Sequence, residues 1–180
     1  IRVIRSTDET MLRDLFYNLS EESVYFRYFS TRRSMPHKNL QQYVNISEED
    51  GISLVVTVGQ REDRKIIAEA RYMINPGDAY PDVAFMVDEN YRGHGIASAL
   101  LHYLIDIGRK KVSVYTATVL DGNKLFVDFA NCICRNKMVV RIDQPDRCYL
   151  LPSSQKEGSF RNWWGSWGCH QVVFYGNLRE

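Results

Sequence analysis

The sequence predicts one α/β (α+β) domain with a mixed β-sheet covered by helices on both faces. The chain has 180 residues, of which 44% are hydrophobic and 25% charged, a balance typical of globular domains and long enough for a core. Its apolar patterns follow the order strand, two or three helices, three strands, helix, strand, helix and two strands. Alternation of this kind favours a layered domain, which we take to span residues 1–180.

The first quarter of the chain predicts a short strand followed by helices. Residues 1–5 read as the strand, and Ser6-Thr7-Asp8 is a helix-start signal. The helix after it carries a stripe at helical spacing, formed by Met11, Leu12, Leu15, Phe16 and Leu19. A second helical piece begins at Ser20 with aromatic residues on both faces, and Pro36 opens a third.

The remaining patterns predict a sheet interrupted by helices. Residues 52–58 and 66–74 are β-branched runs around a charged turn, which indicates a hairpin, and residues 83–87 form a third strand. The later elements are a long helix from Ile96, a strand at 112–120, a helix at 123–133, and strands at 138–142 and 170–175. Residues 145–169 show no readable pattern and are interpreted as an irregular insertion or loop.

Charge and hydropathy argue against two classes of function. There are 23 Lys and Arg against 22 Asp and Glu, so no global positive field is available to attract nucleic acid. The apolar runs are far shorter than the ~20 residues of a membrane span, and the N-terminus lacks a signal-peptide layout. The sequence opens with Ile1, which is compatible with a trimmed chain or a piece of a longer one.

The four cysteines, Cys132, Cys134, Cys148 and Cys169, do not have the spacing of a zinc site or a disulfide framework. We expect reduced thiols, no bound metal and a cytoplasmic location.

The segment from Val83 to Leu101 carries the clearest chemical signal. An apolar strand ends, two glycines follow at 93 and 95, and an amphipathic helix starts at once. The first turn of a helix presents unpaired N–H groups and the positive end of the helix dipole, which together bind anions. Gly93 and Gly95 would let a phosphate approach the backbone. A structural turn is the alternative for a bare glycine pair.

Two nucleotide-binding motifs do not fit this loop. Neither glycine is followed by the Lys of a P-loop, and Ser98 stands where a dinucleotide fingerprint has its third glycine. Arg92-Gly93-His94-Gly95-Ile96-Ala97 instead resembles the Arg/Gln-x-x-Gly-x-Gly/Ala signature of the GNAT superfamily of acyl-CoA-dependent N-acetyltransferases. Residues 20–29 also resemble the early helices of bacterial protein-lysine acetyltransferases, and the likeness in element order covers roughly residues 1–140.

The resemblance implies a mostly antiparallel central sheet of about seven strands, with one strand pair splayed apart to admit acetyl-CoA as cosubstrate. It also implies that backbone amides of the splayed strand hold the pantetheine and the thioester, and that Asn123 touches the CoA arm. A helix cap is the alternative for Asn123. The implied CoA-binding residues are Phe85, Met86, Val87, Arg92, Gly93, His94, Gly95, Ile96, Ala97, Ser98 and Asn123.

Transfer to an amine requires removal of a proton from the ammonium. The resemblance places a carboxylate at Asp82, where the family more often has Glu; a strand-start residue after Pro81 is the alternative. Glu69 is the second candidate base. The tyrosine that usually assists the leaving thiolate is missing: Phe129 lies near its place, and Tyr115 and Tyr175 are possible substitutes.

Two functions stay open on the sequence, beside a third reading as a structural protein whose glycines only turn the chain. The first is an N-acetyltransferase that acts by direct attack of an amine, either a small molecule or a protein lysine. The second is a non-catalytic acyl-CoA-binding regulatory module of a larger enzyme. The Trp-rich stretch at 163–167 would line an acceptor cleft or pack against the sheet or an oligomer interface, so the expected partners include a homodimer or a fused enzyme domain.

Overall fold

The fold is described from a computed structural model. It describes residues 1–74, 80–108, 111–112, 114–120, 123, 126, 129, 141–142, 148–149 and 169–175. The helices are α1 (Glu9–Asn18), α2 (Glu21–Tyr28), α3 (His37–Val44) and α4 (Ile96–Gly108). The strands are β1 (Arg2–Val3), β2 (Gly51–Val58), β3 (Lys65–Met73), β4 (Asp82–Val87), β5 (Val114–Leu120), β6 (Arg141–Ile142), β7 (Cys148–Tyr149) and β8 (Cys169–Tyr175).

Within the described residues, the main sheet has six strands in the order β1-β2-β3-β4-β5-β8, and β6 and β7 form a separate pair. Each neighbouring pair of the main sheet is antiparallel except β4 and β5, which run parallel. β4 pairs along its whole length with β3. The pairing runs from Asp82 opposite Met73 to Val87 opposite Ala68. Within the described residues it pairs with β5 only at Asp82–Thr116. The two parallel strands therefore separate beyond Asp82, which confirms the predicted mostly antiparallel sheet with a splayed pair.

Local signals in the sequence set the helix ends. The Ser20 hydroxyl accepts a hydrogen bond from the Ser23 amide and caps α2. α2 stops at Phe29, whose φ of 56° is left-handed. Pro36 precedes α3, where its fixed φ suits a helix start and its missing N–H costs nothing. The three early helices therefore begin where the sequence predicts them.

Hydrophobic side chains fill both faces of the sheet. On one face, α1, α2 and α3 cover β2, β3 and β4 with a core of Ile4, Leu12, Leu15, Phe16, Val24, Met35, Leu40, Val44, Val55, Ile66 and Met86. On the other face, α4 packs through Leu100, Leu101 and Leu104 onto Leu54, Ala68, Ala70, Tyr72, Val83, Tyr115 and Ala117. The sheet is thus covered on both sides, as the sequence predicts.

Some predicted elements lie partly or wholly outside the described residues. The predicted helix 123–133 is described only at three positions, of which 126 and 129 are helical. The late strands are present at Arg141–Ile142 and Cys169–Tyr175. The irregular segment 145–169, the Trp-rich stretch within it, and Cys132 and Cys134 otherwise fall outside the description. None of the described helices has the length and apolar character needed to cross a membrane.

Replacing Asp8 with Asn should destabilise the fold by about 1–3 kcal/mol, because Asp8 forms charge-assisted hydrogen bonds in a buried place. Arg2 donates to both Asp8 carboxylate oxygens, at 2.6 and 2.8 Å, and the Arg5 amide donates to one of them at 2.8 Å. The bond from Arg2, with that from the Arg5 amide, lowers the pKa of Asp8. The stabilisation that ionised Asp8 provides is thus complete above about pH 3.9, the pKa of an aspartate in the unfolded chain. It is lost as the pH falls through the lower pKa that Asp8 has in the folded state.

Urea unfolding of both proteins at pH 7 and at pH 3 measures the difference. We expect the difference in free energy of unfolding between wild type and Asp8→Asn to be smaller at pH 3 than at pH 7. A gap that is equal at the two pH values would contradict a role for the Asp8 charge.

Candidate active site

The loop between β4 and α4 exposes the first turn of α4. Gly93 and Gly95 have φ values of 78° and 74°, in the left-handed region that favours glycine. The Gly95 carbonyl accepts the first intrahelical bond, from the Ala99 amide at 2.9 Å. Among the described residues no hydrogen-bond acceptor is recorded for the amides of residues 96–98. A Cβ built on either glycine meets no atom within 4 Å, so the space above the loop is open.

Arg92 ties this loop to α2. Its guanidinium donates to the Ser23 hydroxyl at 2.8 Å and to the Val87 carbonyl at 3.3 Å. Glu89 accepts from the Ser23 hydroxyl at 2.6 Å and from the Ser20 amide at 3.0 Å. Hydrogen bonds from Ser20 and Ser23 lower the pKa of Glu89 to about 2. The Glu89 charge, and with it this link, is therefore retained well into the acidic range.

His94 stabilises the same turn. Its Nδ1 lies 2.8 Å from the Arg92 carbonyl, so a protonated Nδ1 donates to that oxygen. The ring is exposed and does not line the cavity described next. His94 thus differs in place from the other predicted CoA-binding residues.

A cavity of about 520 Å³ runs from the glycine loop across β4 to α2. Apart from His94, it is lined by every residue predicted to bind CoA. The lining residues are Leu19, Ser23, Phe26, Arg27, Phe29, Asp82, Val83, Ala84, Phe85, Met86, Val87, Tyr91, Arg92, Gly93, Gly95, Ile96, Ala97, Ser98, Asn123, Phe126 and Phe129. A volume of this size suits a small-molecule ligand.

The two faces of β4 border different parts of this cavity. Val83, Phe85 and Val87 belong to the core against α4, whereas Met86 belongs to the core against α1–α3. Because side chains alternate along a strand, Asp82 and Ala84 share the face of Met86. The backbone between the faces is free of β5 beyond Asp82, which leaves amides and carbonyls of β4 for a ligand in the gap.

Asn123 caps a helical turn and also lies in the cavity wall. Its side-chain oxygen accepts a hydrogen bond from the Phe126 amide at 3.1 Å, as a helix cap does. The same residue is half-buried in the cavity wall. Capping is therefore shown by geometry, and contact with a CoA arm stays a prediction.

The two candidate bases occupy different environments. Asp82 is half-buried in the cavity wall at the point where β4 and β5 separate. Glu69 is fully buried and is not part of the wall. One Glu69 oxygen accepts from the Ser53 hydroxyl and from Arg71, each at 2.8 Å. Asp82 is thus the better placed of the two for contact with a substrate.

Phe129 lies in the cavity wall, whereas Tyr115, one of its two predicted substitutes, does not. Phe129 packs edge-on against Phe85 and Phe126, with ring centroids 5.3 and 5.5 Å apart. Tyr115 is buried in the α4 core, where its hydroxyl donates to the Leu104 carbonyl at 3.4 Å and burial raises its pKa. It does not line the cavity, and the Tyr175 side chain lies outside the description. Among the described residues Tyr91 is the tyrosine in the wall, and the sequence analysis did not single it out.

The contribution of α2 to the site was not predicted from the sequence. The wall opposite β4 is formed by α2 and the residues that flank it, namely Leu19, Ser23, Phe26, Arg27 and Phe29. The available signal was the crowding of aromatic residues on both faces of this helix, which predicts that its second face covers something other than the sheet core.

Comparison with known proteins identifies the class of protein that this fold and site define. The model of the acetyltransferase (GNAT) family matches residues 15–130, which is more than half of the chain. The chain therefore belongs to the GNAT family of acetyltransferases, whose enzymes use acetyl-CoA. The matched segment runs from α1 to the helical position 129 and includes all of the cavity lining.

Individual relatives share the fold. An acetyltransferase of Pseudomonas aeruginosa is 23% identical over 110 residues, which cover 61% of this chain and 59% of that protein; the chain thus spans about three-fifths of this relative's length. The GNAT domain of S. lividans PAT superposes with a TM-score of 0.69 at 21% identity, over 97% of this chain and 88% of that one. The Salmonella typhimurium protein yncA, solved with its cofactor acetyl-CoA, gives a TM-score of 0.63 at 15% identity, over 99% and 93%.

Proposed function

We propose that this domain transfers the acetyl group of acetyl-CoA to a primary amine by direct attack of the amine on the thioester. The observation that carries the proposal is the splay of β4 from β5 beside the exposed first turn of α4, because one cavity joins the two features. A diphosphate at one end and a thioester at the other would fit this arrangement.

The donor would bind mainly through backbone groups. The amides of residues 96–98 and the helix dipole of α4 would neutralise the diphosphate, with Gly93 and Gly95 leaving room for its oxygens. The pantetheine would lie in the gap beside β4 and hydrogen-bond to the backbone of residues 85–87. Those amides would also polarise the thioester carbonyl as negative charge develops on its oxygen.

The acceptor would approach from the α2 side of β4, where Asp82 lies. Asp82, directly or through a water, would take a proton from the amine nitrogen. The nitrogen forms a bond to the carbonyl carbon, and the resulting intermediate collapses with cleavage of the carbon–sulfur bond. The sulfur leaves as the CoA thiolate. Because a thiol has a pKa near ~8.5, it can depart without complete protonation, which is consistent with Phe129 in the place of a tyrosine.

Glu69 would serve a structural role in this scheme, since its carboxylate bonds to Ser53 and Arg71 away from the cavity wall. A protein lysine or a small molecule as acceptor, the cytoplasmic location, and a homodimer or fused enzyme as partner stay predictions.

The proposal is tested by incubating the protein with acetyl-CoA and a panel of amines while free thiol is followed with a colorimetric reagent. We expect thiol release that depends on both protein and amine, with an equal amount of acetylated amine detected by mass spectrometry. Binding of acetyl-CoA in a calorimeter without turnover on any acceptor would instead favour a regulatory acyl-CoA-binding module.

A further inference from the structure

Three arginines lie between the sheet and the helices α2 and α3, next to the acceptor end of the cavity. We call Arg27, Arg32 and Arg71 the arginine cluster. The Arg27 and Arg32 guanidinium carbons lie 5.0 and 5.1 Å from the ring centroid of Tyr28. The Arg71 carbon lies 3.5 Å from the ring centroid of Tyr43. Two tyrosine rings thus hold three guanidinium groups in one layer by cation–π contacts.

Within the described residues, the three positive charges of the arginine cluster are paired with only one carboxylate, that of Glu69. Arg71 is 3% exposed and pairs with the buried Glu69 at 2.8 Å. Within the described residues the ion pairs include none made by Arg27 or Arg32. Among the described residues, the Arg27 Nε, an Arg32 terminal nitrogen and the Glu69 Oε2 are buried without a hydrogen-bond partner. Buried donors and charges are costly unless they are paired, so the described part of the chain leaves the capacity of Arg27 and Arg32 to bind an anion unused.

Electrostatics at Arg27 agree with this view. Burial, followed by the positive charge of Arg71, lowers the pKa of Arg27. The Glu69 carboxylate raises the pKa of Arg71 despite the opposing effect of burial. Glu69 pairs directly with Arg71, and among the described residues no carboxylate forms an ion pair with Arg27, the arginine nearer the cavity.

Arg27 is the member of the cluster that reaches the cavity, in whose wall it joins Asp82, Ala84 and Met86. Those three residues share the β4 face on which Asp82 would receive the amine proton. A guanidinium presents forked donors that match a carboxylate in two parallel hydrogen bonds. Arg27 and Asp82 thus lie in the wall of the same cavity.

We infer that the acceptor carries a carboxylate close to its reactive amine and that Arg27 binds this carboxylate, while Arg71 and Glu69 hold the position of the cluster. The inference rests on the proposed transfer reaction and names its substrate class, amines of the amino-acid type. Arg27 would then determine specificity, whereas Asp82 would take the proton.

The test uses pairs of amines that differ only in the charge of one group. Free amino acids are compared with their amides, and lysine peptides flanked by Glu with the same peptides flanked by Gln. In wild type we expect kcat/KM to be about ten- to hundredfold higher for the carboxylate member of at least one pair, as for a charge-assisted hydrogen bond. The free amino acids and the peptides distinguish the two sources of the carboxylate.

Arg27→Gln should abolish that preference mainly by raising KM for the carboxylate member far more than for the amide member. Arg27→Lys should keep part of it. Arg33→Gln is the matched control, because Arg33 is an exposed arginine in the segment after the same helix, and its preference should equal that of wild type. Acetyl-CoA affinity and the circular dichroism spectrum check that each variant is folded.

Equal turnover of the two members of every pair, or an unchanged preference in Arg27→Gln, would overturn the inference and leave the transferase proposal intact. Absence of thiol release with every amine would overturn the transfer itself, and this inference with it.

Discussion

Asp82→Asn should lower kcat/KM for the acceptor about 100- to 10,000-fold, the contribution typical of a general base. Acetyl-CoA affinity should stay within about twofold of wild type, because the donor would be held by the backbone of β4 and α4 and the amide has nearly the shape of the carboxylate. Thiol release measured against acceptor concentration gives the first quantity, and calorimetry gives the second.

Two further variants make this test specific. Asp82→Glu should retain activity within about tenfold, because it keeps the base and changes only its reach. Asp106→Asn removes a carboxylate from the exposed side of α4 and should leave turnover unchanged. Turnover by Asp82→Asn at the wild-type rate would show that another residue is the general base.

Gly95→Val should weaken acetyl-CoA binding by about a hundredfold or more. The φ of 74° at Gly95 is strongly unfavourable for a β-branched residue, and the added side chain would enter the open space proposed for the diphosphate. Loss of several charge-assisted hydrogen bonds from the α4 amides has a large effect, because each contributes about 1.5–3 kcal/mol. Calorimetric titration with acetyl-CoA measures the change.

Acetylpantetheine provides the control on the ligand side, because it has the thioester but no diphosphate. Its weaker affinity should be the same for wild type and Gly95→Val. An equal loss of affinity for both ligands would show that the substitution disturbs the fold rather than a diphosphate site. Gly93→Ala, at the other left-handed glycine, should give an intermediate result.

Local patterns predicted the elements that hold the donor side of the site. The strand at 83–87 and the helix from Ile96 have the observed bounds to within one residue, because a β-branched run and a helical stripe meet at two glycines. The hairpin of β2 and β3 was also predicted. The splay of β4 from β5 was implied by the family resemblance alone, since nothing in the residues of either strand specifies where a parallel pairing stops.

The acceptor side could not be predicted from local patterns. Arg27 is far in sequence from Glu69 and Arg71, and all three look like surface residues of a helix and a strand. Their burial depends on the register that sets Arg71 opposite Ser53 and Glu69 opposite Val55, and on the packing of α2 over that face. Glu69 was accordingly predicted as a second base, whereas the structure pairs it with Arg71. Long-range pairings of this kind have no periodic signature.

Because β4 separates from β5, part of β4 has no neighbouring strand on that side. Backbone groups that a neighbouring strand would normally satisfy are left facing a gap, so a bound pantetheine would act as the missing length of strand. Because a ligand that binds only the native state stabilises it, a hundredfold excess over Kd adds about 2.7 kcal/mol. The concentration of acetyl-CoA would then determine the stability of the folded domain as well as its rate of acetyl transfer.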